Sequence, residues 1–122
     1  MRLSIADPSL RTQLTSESAA RASWGVAAPR VQMCLALLDA ATSLGDLLTF
    51  ACLFIRVVPE GVLVTHREAT VVITPVDRHG HQIQTDSTWP AGLPATLRDA
   101  QRAQITAVQL EVTVGSTLGP VR

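Results

Sequence analysis

Leu53-Phe54-Ile55-Arg56-Val57-Val58, Pro59-Glu60-Gly61, Val62-Leu63-Val64-Thr65-His66, Arg67-Glu68-Ala69 and Thr70-Val71-Val72-Ile73-Thr74 follow one another without a break. This stretch decides the fold. Its runs are rich in β-branched residues, which suit a pleated and half-buried surface, so 53–58, 62–66 and 70–74 read as three strands. Pro59-Glu60-Gly61 is a turn signal that folds the first two into an antiparallel hairpin. Arg67-Glu68-Ala69 joins the second to the third. Pro75 has no N–H to give a ladder, so the third strand should end there or hold that position at an edge.

Upstream the period is that of helices. Residues 2–6 alternate as a first strand, and Asp7-Pro8 then reads as an N-cap with proline in the first turn, opening a helix over 8–14. Ser16 can cap a second helix, 17–24, which stops at Gly25. Over 26–41, Ala27, Val31, Cys34, Leu38 and Ala41 recur at spacings of three and four, the stripe of an amphipathic helix, with Pro29 confined to its first turn. Arg30 and Asp39 mark the polar side. Ser43 looks like the cap of a short turn over 44–48.

Downstream, 77–92 carries turn formers and little periodicity, and reads as one long loop. A helical turn is expected over 94–101 and a last strand over 105–114, with 115–122 a fraying tail. A strand, two or three helices and an antiparallel run make an α+β fold, with helices packed on one face of an antiparallel sheet. At 122 residues the chain is read as a single domain.

Composition limits the functions available. The net charge is zero, so no overall electrostatic footprint for nucleic acid exists, which leaves a local patch. All ten basic side chains are Arg, and Tyr is missing. With only 3% aromatic residues, few platforms remain on which bases could stack. No run approaches the roughly 20 apolar residues that cross a bilayer, and no signal peptide is visible, so a soluble cytoplasmic protein is expected. Cys34 and Cys52 then read as free, buried core thiols. Trp24 reads as core, and Trp89 as a loop anchor or a stacking contact. His79-Gly80-His81 supplies two metal ligands at most, with no third at a recognised spacing, so no metal and no other cofactor is expected.

Two segments carry a resemblance. Arg21-Ala22-Ser23-Trp24-Gly25, followed by Leu35-Ala36-Leu37-Leu38-Asp39-Ala40-Ala41-Thr42-Ser43-Leu44-Gly45-Asp46-Leu47, is similar to the helical half of HigB-like killer toxins of the RelE/ParE superfamily. There a helix closing on an aromatic-Gly pair leads into one ending Leu-x-x-Ala-Ala-x-x-Leu-x-Asp-Leu. The likeness extends into the sheet. Leu53 to Val57 with Gly61 resembles the family's His-x-Leu-Lys-Gly strand and turn, with Arg56 at the basic position. Thr70 to Val76 resembles its Tyr-Arg-Leu-Ile-Phe-x-Pro-like strand, and Ile105 to Val112 its last strand.

The resemblance implies the toxin of a type II toxin–antitoxin pair, a metal-independent mRNA endoribonuclease, ribosome-dependent or free. A cognate antitoxin, a small helix-turn-helix protein, would be its partner, with mRNA and the ribosome as targets. RNA cleavage of this kind needs a base for the ribose 2′-OH, a cation for the crowded phosphate and an acid for the leaving oxygen. Carried onto this chain, Arg56 would hold the phosphate, Arg67 would assist and His66 would move the proton, with Arg30 and Arg78 as further RNA contacts. The family's strand Arg has its counterpart near Thr70 or Val71, the terminal Asp-Tyr-His is absent after Val112, and no Tyr replaces the family's own. These positions are degenerate. They open a second reading, a toxin-fold protein that does not cut RNA and works through protein contacts with an antitoxin or a gyrase-like target.

Overall fold

The computed structural model describes residues 1–85 and 95–110. Strand β1 (Arg2–Ile5) leads into helices α1 (Pro8–Thr15), α2 (Glu17–Trp24) and α3 (Ala28–Ala40). Strands β2 (Phe54–Val58), β3 (Gly61–His66) and β4 (Ala69–Val76) come next, succeeded by one short helix, α4 (Ala95–Arg98), and β5 (Arg102–Leu110). The fold is α+β, with helices on one side of a five-stranded sheet ordered β1-β5-β4-β3-β2.

The helix ends obey local chemistry. Asp7 accepts the Ser9 N–H at 2.9 Å, and Ser16 accepts that of Ala19 at 3.3 Å. Such oxygens satisfy N–H groups that the first helical turn leaves without partners. Gly25, at φ 55°, closes α2. Gly25–Ala27 forms one 3-10 turn, and α3 proper starts at Ala28 with Pro29 in its first turn. The expected stripe of Ala27, Val31, Cys34, Leu38 and Ala41 is buried throughout. It lies against β3 and β4. After α3, Ser43 Oγ caps a 3-10 turn, Gly45–Thr49, that buries Leu47.

The sheet is mixed, which corrects the wholly antiparallel expectation. β2, β3, β4 and β5 pair antiparallel, whereas β1 runs parallel to β5, Arg2 opposite Arg102 and Ile5 opposite Ile105. Short turns dictate antiparallel neighbours. The helices between β1 and β2 free the first strand to cross to the far edge and pair there in the other sense.

Pro75 does not end its strand, because β4 continues to Val76 with Pro75 opposite Ala103. The carbonyl of Pro75 accepts the Ile83 N–H at 2.8 Å. Within a strand, N–H and C=O of one residue point to the same side, so the N–H that proline lacks would also face Ile83. By then β3 has ended, and no ladder bond with β5 is lost.

A bulge sets the face of β5. Val72 pairs with Ala107 and Ile73 with Ile105, leaving Thr106 unpaired. The extra residue brings Ile105 and Val108, three positions apart, onto the same helix-covered face. Thr106 Oγ1 donates to the Val72 carbonyl at 3.2 Å. β5 also starts earlier than residue 105, at Arg102, while 111–114 of the expected strand, the 115–122 tail and Trp89 lie outside the described residues.

Candidate functional site

Strand alternation divides the sheet into two faces. Ile55, Val57, Val62, Val64, Val71 and Ile73 point to the helices, so their neighbours point away. On that open side Phe54 and Arg56 of β2, Leu63 and Thr65 of β3, Thr70 of β4 and Gln109 of β5 line a groove of about 290 Å³, which Leu110 closes at the end of β5. The hydroxyls of Thr65 and Thr70 are 2.8 Å apart across the β3–β4 pair. Phe54 is 73% exposed. An aromatic ring left open on an edge strand contributes nothing to the core.

Arg67 stands beside this groove. It occupies the β3–β4 turn at φ 57°. There it lines a second hollow of about 460 Å³ with Ala51, Cys52, Leu53, Phe54 and Thr65. Phe54 and Thr65 belong to both spaces, so Arg56 and Arg67 flank the same ring. Among the described residues, neither guanidinium makes an ion pair or side-chain hydrogen bond.

His66 does not join them. It pairs with buried Ala69, one step out of phase with Thr65, and therefore points to the opposite face. Its Nδ1 lies 3.3 Å from the carbonyl oxygen of Cys52. Arg56 is consequently the one titratable group that lines the groove among the described residues.

The two further RNA candidates are also elsewhere. Arg30, near the start of α3, donates from Nε to Glu68 at 3.1 Å, so its charge is already met. Arg78 comes after the far end of β4, some eleven residues from Arg67. Eight of those are extended, a separation of roughly 26 Å.

The loop after β4 is organised by Asp77, whose Oδ1 accepts the N–H groups of His79 and His81 at 2.8 and 3.0 Å. These bonds, that of His81 first, hold its carboxyl below the usual range. The His79 and His81 rings are 6.4 Å apart. No third ligand joins them, and no three His, Cys, Asp or Glu side chains converge on a metal position among the described residues. Thr85, missed by sequence reasoning, is buried and donates to the Val58 carbonyl at 2.6 Å, tying the loop to the β2–β3 hairpin.

Of the two cysteines only Cys34 is buried; Cys52 is exposed, which corrects the expectation of two core thiols. Its position in the turn before β2 puts it outside the layer that α3 covers. Trp24 is half-buried and packs on the core margin. No helix among the described residues is long and apolar enough to cross a membrane.

The chain matches no family model, no curated protein and no solved structure. An unpaired guanidinium beside an exposed ring and two hydroxyls can hold a phosphate while a base stacks alongside. Phe54 is legible in the sequence, since it lies two residues from Arg56 and must share its face.

Proposed function

We propose that this chain is the toxin component of a type II toxin–antitoxin pair, a HigB-like protein of the RelE/ParE kind, acting on mRNA through the open face of its sheet. The observation that carries this reading is Arg56, free of carboxylate partners among the described residues and beside the exposed Phe54 in a groove. Arg56 binds the RNA phosphate, Arg67 approaches from the turn, and Phe54 stacks a base. The element order supports it as well, because a strand, helices and then an antiparallel run is the order of the family that the sequence resembles. A cognate antitoxin restrains the protein.

One observation favours the second reading, in which the protein binds an antitoxin or a gyrase-like target and does not cut RNA. Cleavage needs a proton acceptor within hydrogen-bond reach of the 2′-OH. Among the described residues none lines the Arg56 groove, and His66 faces the other way.

Induced expression in bacteria separates the two. Growth arrest with mRNA cut in the presence of ribosomes supports the endoribonuclease; arrest with intact mRNA supports binding to a protein target. Unimpaired growth at high expression, with mRNA intact, overturns the endoribonuclease and favours the binding-only reading.

A further inference from the structure

The opposite edge of the sheet carries a second basic feature that neither reading uses. Arg2 and Arg102 are direct register partners on the parallel strands β1 and β5. Leu3 and Ile5, like Ala103 and Ile105, face the core, so both arginines project from the open face. Neighbouring strands are about 4.8 Å apart, which starts the two side chains side by side. Like charges in that position repel.

Neither Arg2 nor Arg102 makes an ion pair or side-chain hydrogen bond among the described residues. Asp77 and Asp99 line the adjoining hollow with Arg78 and Arg102. Oδ1 of Asp77 is taken by the backbone of its own loop, and neither Asp77 nor Asp99 forms an ion pair with Arg2 or Arg102.

The space in front of the arginine pair is a cavity of about 450 Å³, whose walls include Ser4, Gly80, Gln82 and Gln104. Ligand sites commonly measure roughly 300–1,000 Å³. Two guanidinium forks can each take two oxygens of a phosphate, a geometry that Lys lacks. Ser4 and the two glutamines supply neutral donors at the rim. Arg56 itself is on β2, three strand spacings from Arg102 and four from Arg2, roughly 14–19 Å across the sheet.

We propose that Arg2 and Arg102 form a binding site for a phosphate group, borne by a mononucleotide or by an RNA strand crossing the open face, separate from the Arg56 groove. The anion takes the place of the missing carboxylate. The site stands on the β1–β5 pairing alone, whatever the Arg56 groove does.

The test uses the full chain with inorganic phosphate, adenosine monophosphate and an eight-nucleotide single-stranded RNA, measured by calorimetry. R2Q/R102Q removes both charges and their repulsion, so its fold should persist. Wild type should bind at least one probe, and the double variant should bind it ten-fold or more weakly. Phosphate should raise the wild-type Tm at low salt and leave that of the double variant unchanged. Equal affinity for the mononucleotide and the RNA identifies a nucleotide site. Tighter RNA binding, with a salt slope lowered by about 1.4 in the double variant, identifies a strand. No binding of any probe by wild type, or unchanged binding by R2Q/R102Q, overturns the proposal. RNA binding lost in R56Q but kept in R2Q/R102Q, with phosphate and mononucleotide binding also unchanged in R2Q/R102Q, overturns it and leaves the Arg56 reading intact; RNA binding kept in R56Q and lost in R2Q/R102Q supports it and removes Arg56 as the RNA contact.

Discussion

The thiol of Cys34 on α3 lies 3.5 Å from the carbonyl oxygen of Val64 on β3, where the helix sits down on the sheet. Burial pushes its pKa up from 9.0 to about 12. The folded chain therefore keeps a proton that the unfolded chain loses, and stability must fall as pH rises above the unfolded value. Denaturation midpoints should be insensitive to this group below about pH 9 and decline from there towards 12. Cys34→Ala should remove that part of the decline. A thiol reagent at neutral pH should meanwhile modify Cys52 in the native protein and reach Cys34 only on unfolding.

Leu38 is fully buried one turn further along α3. Leu38→Ala should cost about 2–5 kcal/mol, the lost transfer energy together with the cavity left behind. A change in denaturation free energy below about 1 kcal/mol would mean that this face of α3 is not core.

Gly61 opens β3 at φ 146°, and a Cβ there would lie 2.5 Å from the carbonyl oxygen of Ile73. The obstacle is backbone of the neighbouring strand and cannot swing aside. Gly61→Ala should destabilise by at least roughly 1–3 kcal/mol. Gly80→Ala is the control, since Gly80 has a positive φ but no atom near its missing Cβ. Its Tm should fall less.

Arg56 and His66 allow the functional reading to be divided. Loss of a preorganised charge stabiliser commonly reduces a rate by about 10²–10³, so Arg56→Ala should nearly abolish toxicity while the circular dichroism spectrum stays unchanged. His66→Ala should leave toxicity as it was, because that ring faces the other side. Full toxicity in a folded Arg56→Ala protein would remove Arg56 from the mechanism.

Arg30→Ala should have little consequence for stability. The pair with Glu68 is 42% exposed on each side, and such pairs are worth about 0–1 kcal/mol, less in salt. RNA affinity should be unchanged too, since the charge is already taken up. A drop in affinity measured by anisotropy would restore Arg30 as a contact.

The elements can be read from the chain because each rests on local rules. Asp7-Pro8 and Ser16 announce helix starts, the stripe from Ala27 to Ala41 announces its buried face, and Pro59-Glu60-Gly61 announces the hairpin. What escapes such a reading depends on partners far away in sequence. Alternation tells which residues share a face but not which strand lies next door, so the parallel β1–β5 edge and the Arg2–Arg102 pair have no local signal. Pro75 reads as a strand end or an edge position, and which of the two holds depends on where β3 stops alongside it. The site divides differently. Arg56 and Arg67 fall beside one groove, whereas His66 comes a single residue after Thr65, and a single residue changes the face.

The parallel edge has a consequence for how the protein is made. Arg2 and Arg102 are 100 positions apart, yet they are neighbours in the finished sheet. At roughly 5–20 residues per second on the ribosome, the first strand waits about 5–20 s for its partner to be synthesised. The β2–β3–β4 hairpins can close in the meantime, since each joins adjacent segments, but β5 must add to β4 before β1 has an edge to pair with. β1, made before the other four strands, is thus among the last to be seated, and until then it is an unpaired strand available to other chains.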